Sequence, residues 1–312
     1  MKAGQVIVIL GPTAVGKSAV AVELATIISG EVISADSRAF FRGLDIVTDK
    51  LSLADRRGIT HHLIDTVELT GKYDAMAFRS DVEQLVPRIR ACGHLPIIVG
   101  GGTLYLSAIL RGLFTGPSAD PALREKLVSE PLNELYARLQ EVDPEAAARI
   151  HVNDKLRIVR ALEVHTITGQ RISDLQKEAK PLPLDFSVFG LRMEREAHRR
   201  IIAERVRKML ADGLIDEVRS LRAQGLTEKH QAHRTIGIPE TKAFLDGQIS
   251  RQELEERLIN NTWGLARRQM AWFKRDSDVT WIDVTDRSPQ QVAKEIDRLS
   301  QLGDLVIGRA GD

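Results

Sequence analysis

Eight residues near the N-terminus, Gly11-Pro12-Thr13-Ala14-Val15-Gly16-Lys17-Ser18, satisfy the pattern G-x-x-x-x-G-K-[ST]. Glycines at that spacing let backbone N–H groups turn toward phosphate oxygens, and a helix starting behind them adds positive potential. Lys17 supplies a mobile charge for terminal phosphates, and the Ser18 hydroxyl suits a Mg2+ ligand. Gly11, Thr13, Ala14, Val15, Gly16, Lys17 and Ser18 are therefore the candidate diphosphate- or triphosphate-binding set. The motif by itself does not choose the phosphate compound.

Two further segments carry residue types that do chemistry. Asp36, in Ser34-Ala35-Asp36-Ser37, could bind Mg2+ through water or act as a general base; it could equally be a helix-capping or turn aspartate. Gly100-Gly101-Gly102-Thr103 could offer N–H groups and the Thr103 hydroxyl to an anion or a substrate amine, or could be a tight structural turn. His61 and His62 have no third ligand at a suggestive spacing and read as strand-end or packing residues. Arg157 and Arg160 lie about one helical turn apart beside Leu156, Val159 and Leu162. Core packing accounts for these apolar residues, and the arginines are either ion-paired or aimed at a polyanion.

These residues need elements to hold them. Residues 5–10 (QVIVIL) read as a buried parallel strand, followed by the glycine loop and a helix over 18–28. Strands follow at 31–34, 62–65 and 95–99, with a helix over 75–92 between the last two. The alternation predicts an α/β fold, a P-loop NTPase-like parallel sheet flanked by helices. Ligands of such sheets sit beyond the carboxyl ends of the strands, where the glycine loop, Asp36 and residues 100–103 all fall. From about residue 117 to 184 only helical patterns appear, at 123–129, 132–141, 145–150, 154–168 and 172–177. A strand at 186–191 then returns to the sheet, helices follow at 195–212, 214–223, 238–246 and 250–276, and 281–284 is a last strand. The expected organisation is a catalytic core of 1–116 with 185–312, interrupted by an all-helical insertion domain of 117–184.

Composition narrows the class. The 312 residues are 43% hydrophobic and 28% charged, ordinary for a soluble globular protein. No apolar run approaches the roughly 20 residues of a membrane span, so no membrane partner is expected. The start, Met1-Lys2-Ala3-Gly4, leads straight into the strand and glycine loop, unlike a signal peptide. A single cysteine, Cys92, fits a reducing compartment, and the expected location is cytoplasmic. Net charge is only +1, but basic residues cluster at Arg199, Arg200, Arg205 and Arg207, and again at Arg267, Arg268, Lys274 and Arg275. These are solvated helix faces or a path for phosphates.

Together the residues resemble the bacterial tRNA dimethylallyltransferases (tRNA isopentenyltransferases), over nearly the whole chain. The likeness runs through the glycine loop, Ser34-Ala35-Asp36-Ser37, His61-His62-Leu63-Ile64-Asp65 and Val99-Gly100-Gly101. It continues through Val142-Asp143-Pro144-Glu145, Arg160-Ala161-Leu162-Glu163-Val164, Thr168-Gly169 and Ala266-Arg267-Arg268-Gln269. The resemblance implies transfer of a dimethylallyl group from dimethylallyl diphosphate to N6 of adenosine 37, next to the anticodon of tRNA. The loop would then hold a leaving diphosphate, with Mg2+ on Ser18 and with Lys17 and Arg205 neutralising charge. Asp36 would take the proton of the amine, Thr103 would assist, and the base would be extruded from the anticodon loop. The family likeness places tRNA contacts at Asp36, Ser37, Arg38, Ala39, Gly102, Arg124, Arg157, Arg160 and Arg234. A monomer that binds tRNA and dimethylallyl diphosphate is the expectation.

The chain departs from the family pattern at several places. The second glycine turn has its threonine one place late, at Thr103, with Gly102 where the family has threonine. Ala39 and Phe41 replace an amide and a phenol, Val47 and Asp49 replace a glycine and an alanine, Ile238 replaces a tyrosine, and Trp263 an arginine. Each is expected to remove a polar contact near the tRNA surface. Rival readings are an adenylate isopentenyltransferase acting on free AMP, ADP or ATP, and a small-molecule P-loop kinase.

Overall fold

The computed structural model describes residues 5–114 and 116–307; Met1–Gly4, on which the leader argument partly rests, lie outside them. The chain falls into two compact units, one built from residues up to Ala108 and from Pro183 onward, the other from Ile109–Leu182.

The larger unit opens with β1 (Gln5–Leu10), every residue of which is buried, as a β-branched run central to a parallel sheet requires. Helix α1 (Lys17–Ile28), β2 (Gly30–Ser34) and the two-residue β3 (His61–His62) follow. Then come α2 (Ala75–Ala91), capped by Asp74, β4 (Leu95–Gly100) and α3 (Thr103–Leu110). The smaller unit consists of α4 (Pro121–Ser129), α5 (Leu132–Val142), α6 (Pro144–Arg149), α7 (Lys155–Thr168) and α8 (Ile172–Lys177). The chain completes the larger unit with β5 (Asp185–Arg192), α9 (Arg195–Ala211), α10 (Leu214–Ala223), α11 (Ile238–Leu245), α12 (Arg251–Phe273), β6 (Thr280–Asp283) and α13 (Pro289–Ile307).

All strand pairings are parallel, in the order β3-β2-β4-β1-β5-β6. Side chains alternate across the sheet. Ile7 and Ile9 of β1 pack with Val20, Leu24 and Ile28 of α1 and with Val292, Ala293 and Ile296 of α13. That last helix had not been expected from the sequence, although Val292, Ile296 and Leu299 recur at helical spacing. A second core gathers α9 to α12 around Val206, Leu214, Val218, Leu254 and Leu258.

The third strand is shorter than the pattern 62–65 suggested. Leu63 and Asp65 adopt left-handed backbone angles (φ 59° and 55°), which a strand cannot continue through. The Asp65 carboxylate is turned onto Lys50 Nζ at 2.5 Å.

In the smaller unit, buried Asp143 holds two helix starts together: Oδ1 accepts from Ala146 N (2.9 Å) and Oδ2 from Ser173 N (2.9 Å). Val159 and Leu162 of α7 are buried in its core, as expected, but Leu156 is 75% exposed. It sits in the first turn of α7, outside the packed core, so packing does not explain it.

Candidate functional site

The glycine loop links β1 to α1, and helix α1 begins after Gly16, whose φ of 89° is left-handed. No side chain caps this helix start, so its first N–H groups remain directed toward a ligand. Lys17 Nζ donates to Pro12 O at 2.6 Å, folding the side chain back over the loop. Burial pushes its pKa down to about 8; Asp36 opposes the shift and Arg205 adds to it.

Three side chains from distant helices brace the loop. Gln269 of α12 accepts from Thr13 N (2.8 Å) through Oε1 and donates through Nε2 to Gly101 O (2.8 Å). One buried amide therefore ties the phosphate loop to the second glycine turn. His198 of α9 meets Thr13 O at 2.8 Å; the carbonyl can only accept, which makes Nε2 the protonated ring nitrogen. Burial lowers the His198 pKa, partly offset by that hydrogen bond, with Lys17 lowering it further. Trp263 packs edge-on against the imidazole with ring centroids 5.7 Å apart. Arg205 of α9 donates to Thr13 Oγ1 (3.2 Å) and Thr48 O (3.3 Å), and pairs through Nε with Asp49 Oδ2 at 3.2 Å.

Two cavities of about 400 and 410 Å3 open on this unit. The second holds Lys17, Ser18, Lys50 and His61; the first holds Ser37, Arg38, Gly102, Thr103, Tyr105, Arg234 and Arg268. Thr13, Asp36, Thr48, Gly101, Arg205 and Gln269 line both, so the two spaces meet at these residues. Asp36 thus stands at the junction of a phosphate-binding space and an arginine-lined one. It is also a turn residue, its Oδ1 accepting from Arg38 N at 2.9 Å.

The second glycine turn is shaped by close approach. A Cβ on Gly101 would lie 2.5 Å from Gln269 Nε2, and one on Gly102 would lie 2.6 Å from Ala35 O. Gly102 N is committed to Ala35 O (3.1 Å) and is not available to an anion. Thr103 opens α3 and lines the arginine-bearing cavity. In that cavity Arg38 donates to Gln231 O (2.9 Å), while Gln231 exchanges hydrogen bonds with the Tyr73 backbone. Burial lowers the Arg38 pKa; Asp36 and Tyr105 counteract it.

Several expectations change. Of the departures set at the tRNA surface, Phe41 and Ile238 are fully buried and Val47 is 4% exposed, in the core of α9 to α12. They fill space with apolar volume, and Val47 also lines the arginine-bearing cavity. Ala39 is likewise buried, at the wall of the phosphate-side cavity. Arg124 and Arg160, in the smaller unit, both reach the fully buried Glu163, at 2.6 and 2.7 Å. Asp120 N also donates to Glu163 (3.0 Å), and Arg160 donates to Pro117 O (2.9 Å). Burial pushes the Glu163 carboxyl up, but the two guanidiniums and the amide outweigh it and hold the group below its ordinary value. Arg157 is different: it is exposed and pairs with Asp154 at 3.3 Å. His61 and His62 form β3; His62 Nε2 lies 2.6 Å from Glu31 Oε2, and His61 lines the phosphate-side cavity. No metal-binding group of three His, Cys, Asp or Glu occurs among the described residues.

Gln269, His198 and Asp49 were not singled out as site residues in the sequence. Gln269 stood in a recognised motif, but only its bridging position shows its function.

A parallel sheet with a phosphate loop at the carboxyl end of a central strand, joined to an arginine-lined cavity, defines a P-loop-like enzyme core. The sequence model of the IPP transferase family matches residues 39–276, and the chain belongs to that family. It is 40% identical to a tRNA dimethylallyltransferase of Pelotomaculum thermopropionicum, covering 95% of this chain and 96% of the relative. A tRNA dimethylallyltransferase of Geobacillus kaustophilus is also 40% identical, with 96% of each chain covered. Among solved structures, the full-length tRNA isopentenylpyrophosphate transferase of Bacillus halodurans superposes with a TM-score of 0.70 at 34% identity, covering 96% of this chain and 99% of that one. A eukaryotic dimethylallyltransferase acting on tRNA gives a TM-score of 0.82 at 27% identity, covering 98% and 80%.

Proposed function

We propose that this chain transfers a dimethylallyl group from dimethylallyl diphosphate to N6 of adenosine 37, beside the tRNA anticodon, releasing diphosphate. The observation that carries the reading is the position of Asp36, shared by the phosphate-loop cavity and the arginine-lined one. A donor whose diphosphate lies on the loop and an adenine entering from the arginine side would meet there. The amine nitrogen forms the new C–N bond as the allylic C–O bond breaks, its proton passes to Asp36, and the electron pair leaves with the diphosphate. Lys17, Arg205 and the N-terminus of α1 stabilise the charge that develops on the leaving group. Thr103 lines the adenine side and is assigned to the amine.

Mg2+ fits this site through the exposed Ser18 hydroxyl, because the ion keeps several waters and takes few protein ligands when phosphates are present. Bound there, it would supply further charge neutralisation to the diphosphate. On the tRNA side, Arg38, Arg234 and Arg268 suit phosphates flanking an extruded base, and exposed Arg157 with Leu156 offers a separate contact on α7. Location in the cytoplasm, where such a substrate and the free Cys92 thiol are both at home, belongs to the same proposal. No helix among the described residues is long and apolar enough to cross a membrane.

Incubation with labelled dimethylallyl diphosphate and either bulk tRNA or AMP tests the assignment. Label is expected in tRNA and absent from AMP. Label in AMP alone would replace this reading with that of a free-nucleotide isopentenyltransferase.

A further inference from the structure

Arg205 carries a carboxylate partner, and the two lie in the cavity that also holds Lys17 and Ser18. Its three nitrogens are engaged by Thr13 Oγ1, Thr48 O and Asp49 Oδ2, and only Asp49 brings a charge. The carboxylate is held there by a built loop. Asp49 has a left-handed backbone (φ 52°), and its N–H donates to Ile46 O at 3.0 Å. Behind it, the Glu217 carboxylate accepts from Asp45 N (3.1 Å), Ile46 N (2.7 Å) and Val47 N (2.9 Å). Lys50 Nζ, nearly buried, joins Phe41 O, Asp45 and Asp65. The loop is therefore anchored at both flanks, and the Asp49 side chain, about half exposed, extends from it to Arg205.

We infer that Asp49 is a built-in competitor of the diphosphate, a carboxylate that shares Arg205 with the ligand and so sets how tightly diphosphate is held and how readily it leaves. This rests on the reading that the loop binds diphosphate. The physical basis is direct. A polyanion on the phosphate loop gains from Arg205 only what the guanidinium can give beyond its existing ion pair, and it meets the negative charge of Asp49 in the same space. Each release of diphosphate returns Arg205 to a partner already in place, so the cation is never left uncompensated in a half-buried site.

The experiment measures binding of inorganic diphosphate, with and without Mg2+, to the wild-type chain and to Asp49→Asn. Asparagine tolerates the left-handed backbone and keeps a hydrogen-bond acceptor, so the loop is conserved while the charge is removed. Because the Arg205–Asp49 pair is partly solvated, Asp49→Asn is expected to tighten diphosphate binding by about three- to tenfold. The KM for the allyl donor should fall by a similar factor, with no rise in kcat. In an Arg205→Gln background the same substitution should produce a clearly smaller gain, since the shared cation is gone. Unchanged affinity in Asp49→Asn would overturn the inference, as would weaker binding confined to Mg2+-containing buffer, which would make Asp49 a cation ligand. A wild-type chain that binds no inorganic diphosphate at all would overturn the diphosphate reading itself and this inference with it.

Discussion

Lys17 offers the sharpest test of the phosphate site, because one physical cause acts on both activity and stability. Burial lowers its pKa from 10.5 to about 8, against the pull of Asp36 and with help from Arg205. At that value roughly nine-tenths of the side chain is charged at pH 7 and roughly one-tenth at pH 9. Only the charged form assists a diphosphate. The kcat/KM for the allyl donor, which reports the free enzyme, should therefore fall about tenfold per pH unit above 8. Stability runs the other way. The unfolded chain holds this proton up to about pH 10.5 and the folded chain releases it near 8, so the stability contribution of Lys17 rises with pH between those values. The difference of 10.5 − 8 = 2.5 units corresponds to roughly 3 kcal/mol as a ceiling. Lys17→Met removes the charged group and should raise the denaturation midpoint at pH 7 while abolishing diphosphate binding. It should also flatten the rise in stability above pH 8. A kcat/KM profile that stays level to pH 9.5, or a Lys17→Met chain less stable than the wild type, would refute the argument from burial.

Further outcomes follow from the geometry. Asp36→Asn keeps the acceptor for Arg38 N, so diphosphate affinity should change by less than about threefold while turnover falls by 100-fold or more, the usual worth of a general base; equal loss of both would make Asp36 a structural or metal-binding residue. Gln269→Glu leaves Gly101 O facing an acceptor and should lower the melting temperature, by about 1–3 kcal/mol of stability, and reduce kcat more than it raises either KM; an unchanged kcat would show that the link between the two glycine turns is not used in turnover. In the smaller unit, Glu163→Gln should destabilise by about 3 kcal/mol. Its depressed pKa means the lost contribution is present above about 4.5, the ordinary value, and disappears as pH falls through the lower folded value, so the variant should also lose part of the wild type's acid sensitivity. Arg160→Ala should resemble Glu163→Gln in thermal melts, whereas Arg157→Ala should raise the KM for tRNA several-fold with stability unchanged; a normal tRNA KM would remove α7 from the tRNA-binding surface.

Much of the molecule is legible in the sequence. Short-range physics suffices for it: a β-branched apolar run must be buried, a glycine loop between strand and helix must present N–H groups, and the alternation of the two periods predicts a parallel sheet with its ligand at the strand ends. The phosphate loop, Asp36 and the glycine turn were located on that basis, and the all-helical segment was separated from the sheet by its texture. Missing from that reading was α13, whose amphipathic pattern lies beyond the last strand, and the shortening of β3, which depends on two left-handed residues that no periodicity marks.

Partnerships at long range were decided by the tertiary structure alone. The bond from Gln269 to Thr13 spans 256 positions, and that from Arg205 to Thr13 spans 192. Identical side chains were sorted by what surrounds them. Arg160 is spent on a buried carboxylate while Arg157, three residues away, faces solvent. Phe41 and Ile238, which in the sequence looked like lost polar contacts, prove to be core. The physical reason is common to these cases. Residue type and spacing specify what a group can do within a turn of helix or a pleat of strand, but burial and charge pairing are properties of the space several chain segments enclose together. For the phosphate loop, sequence determined the cradle; only the fold decided that Gln269, His198 and Asp49 would join Arg205 around it.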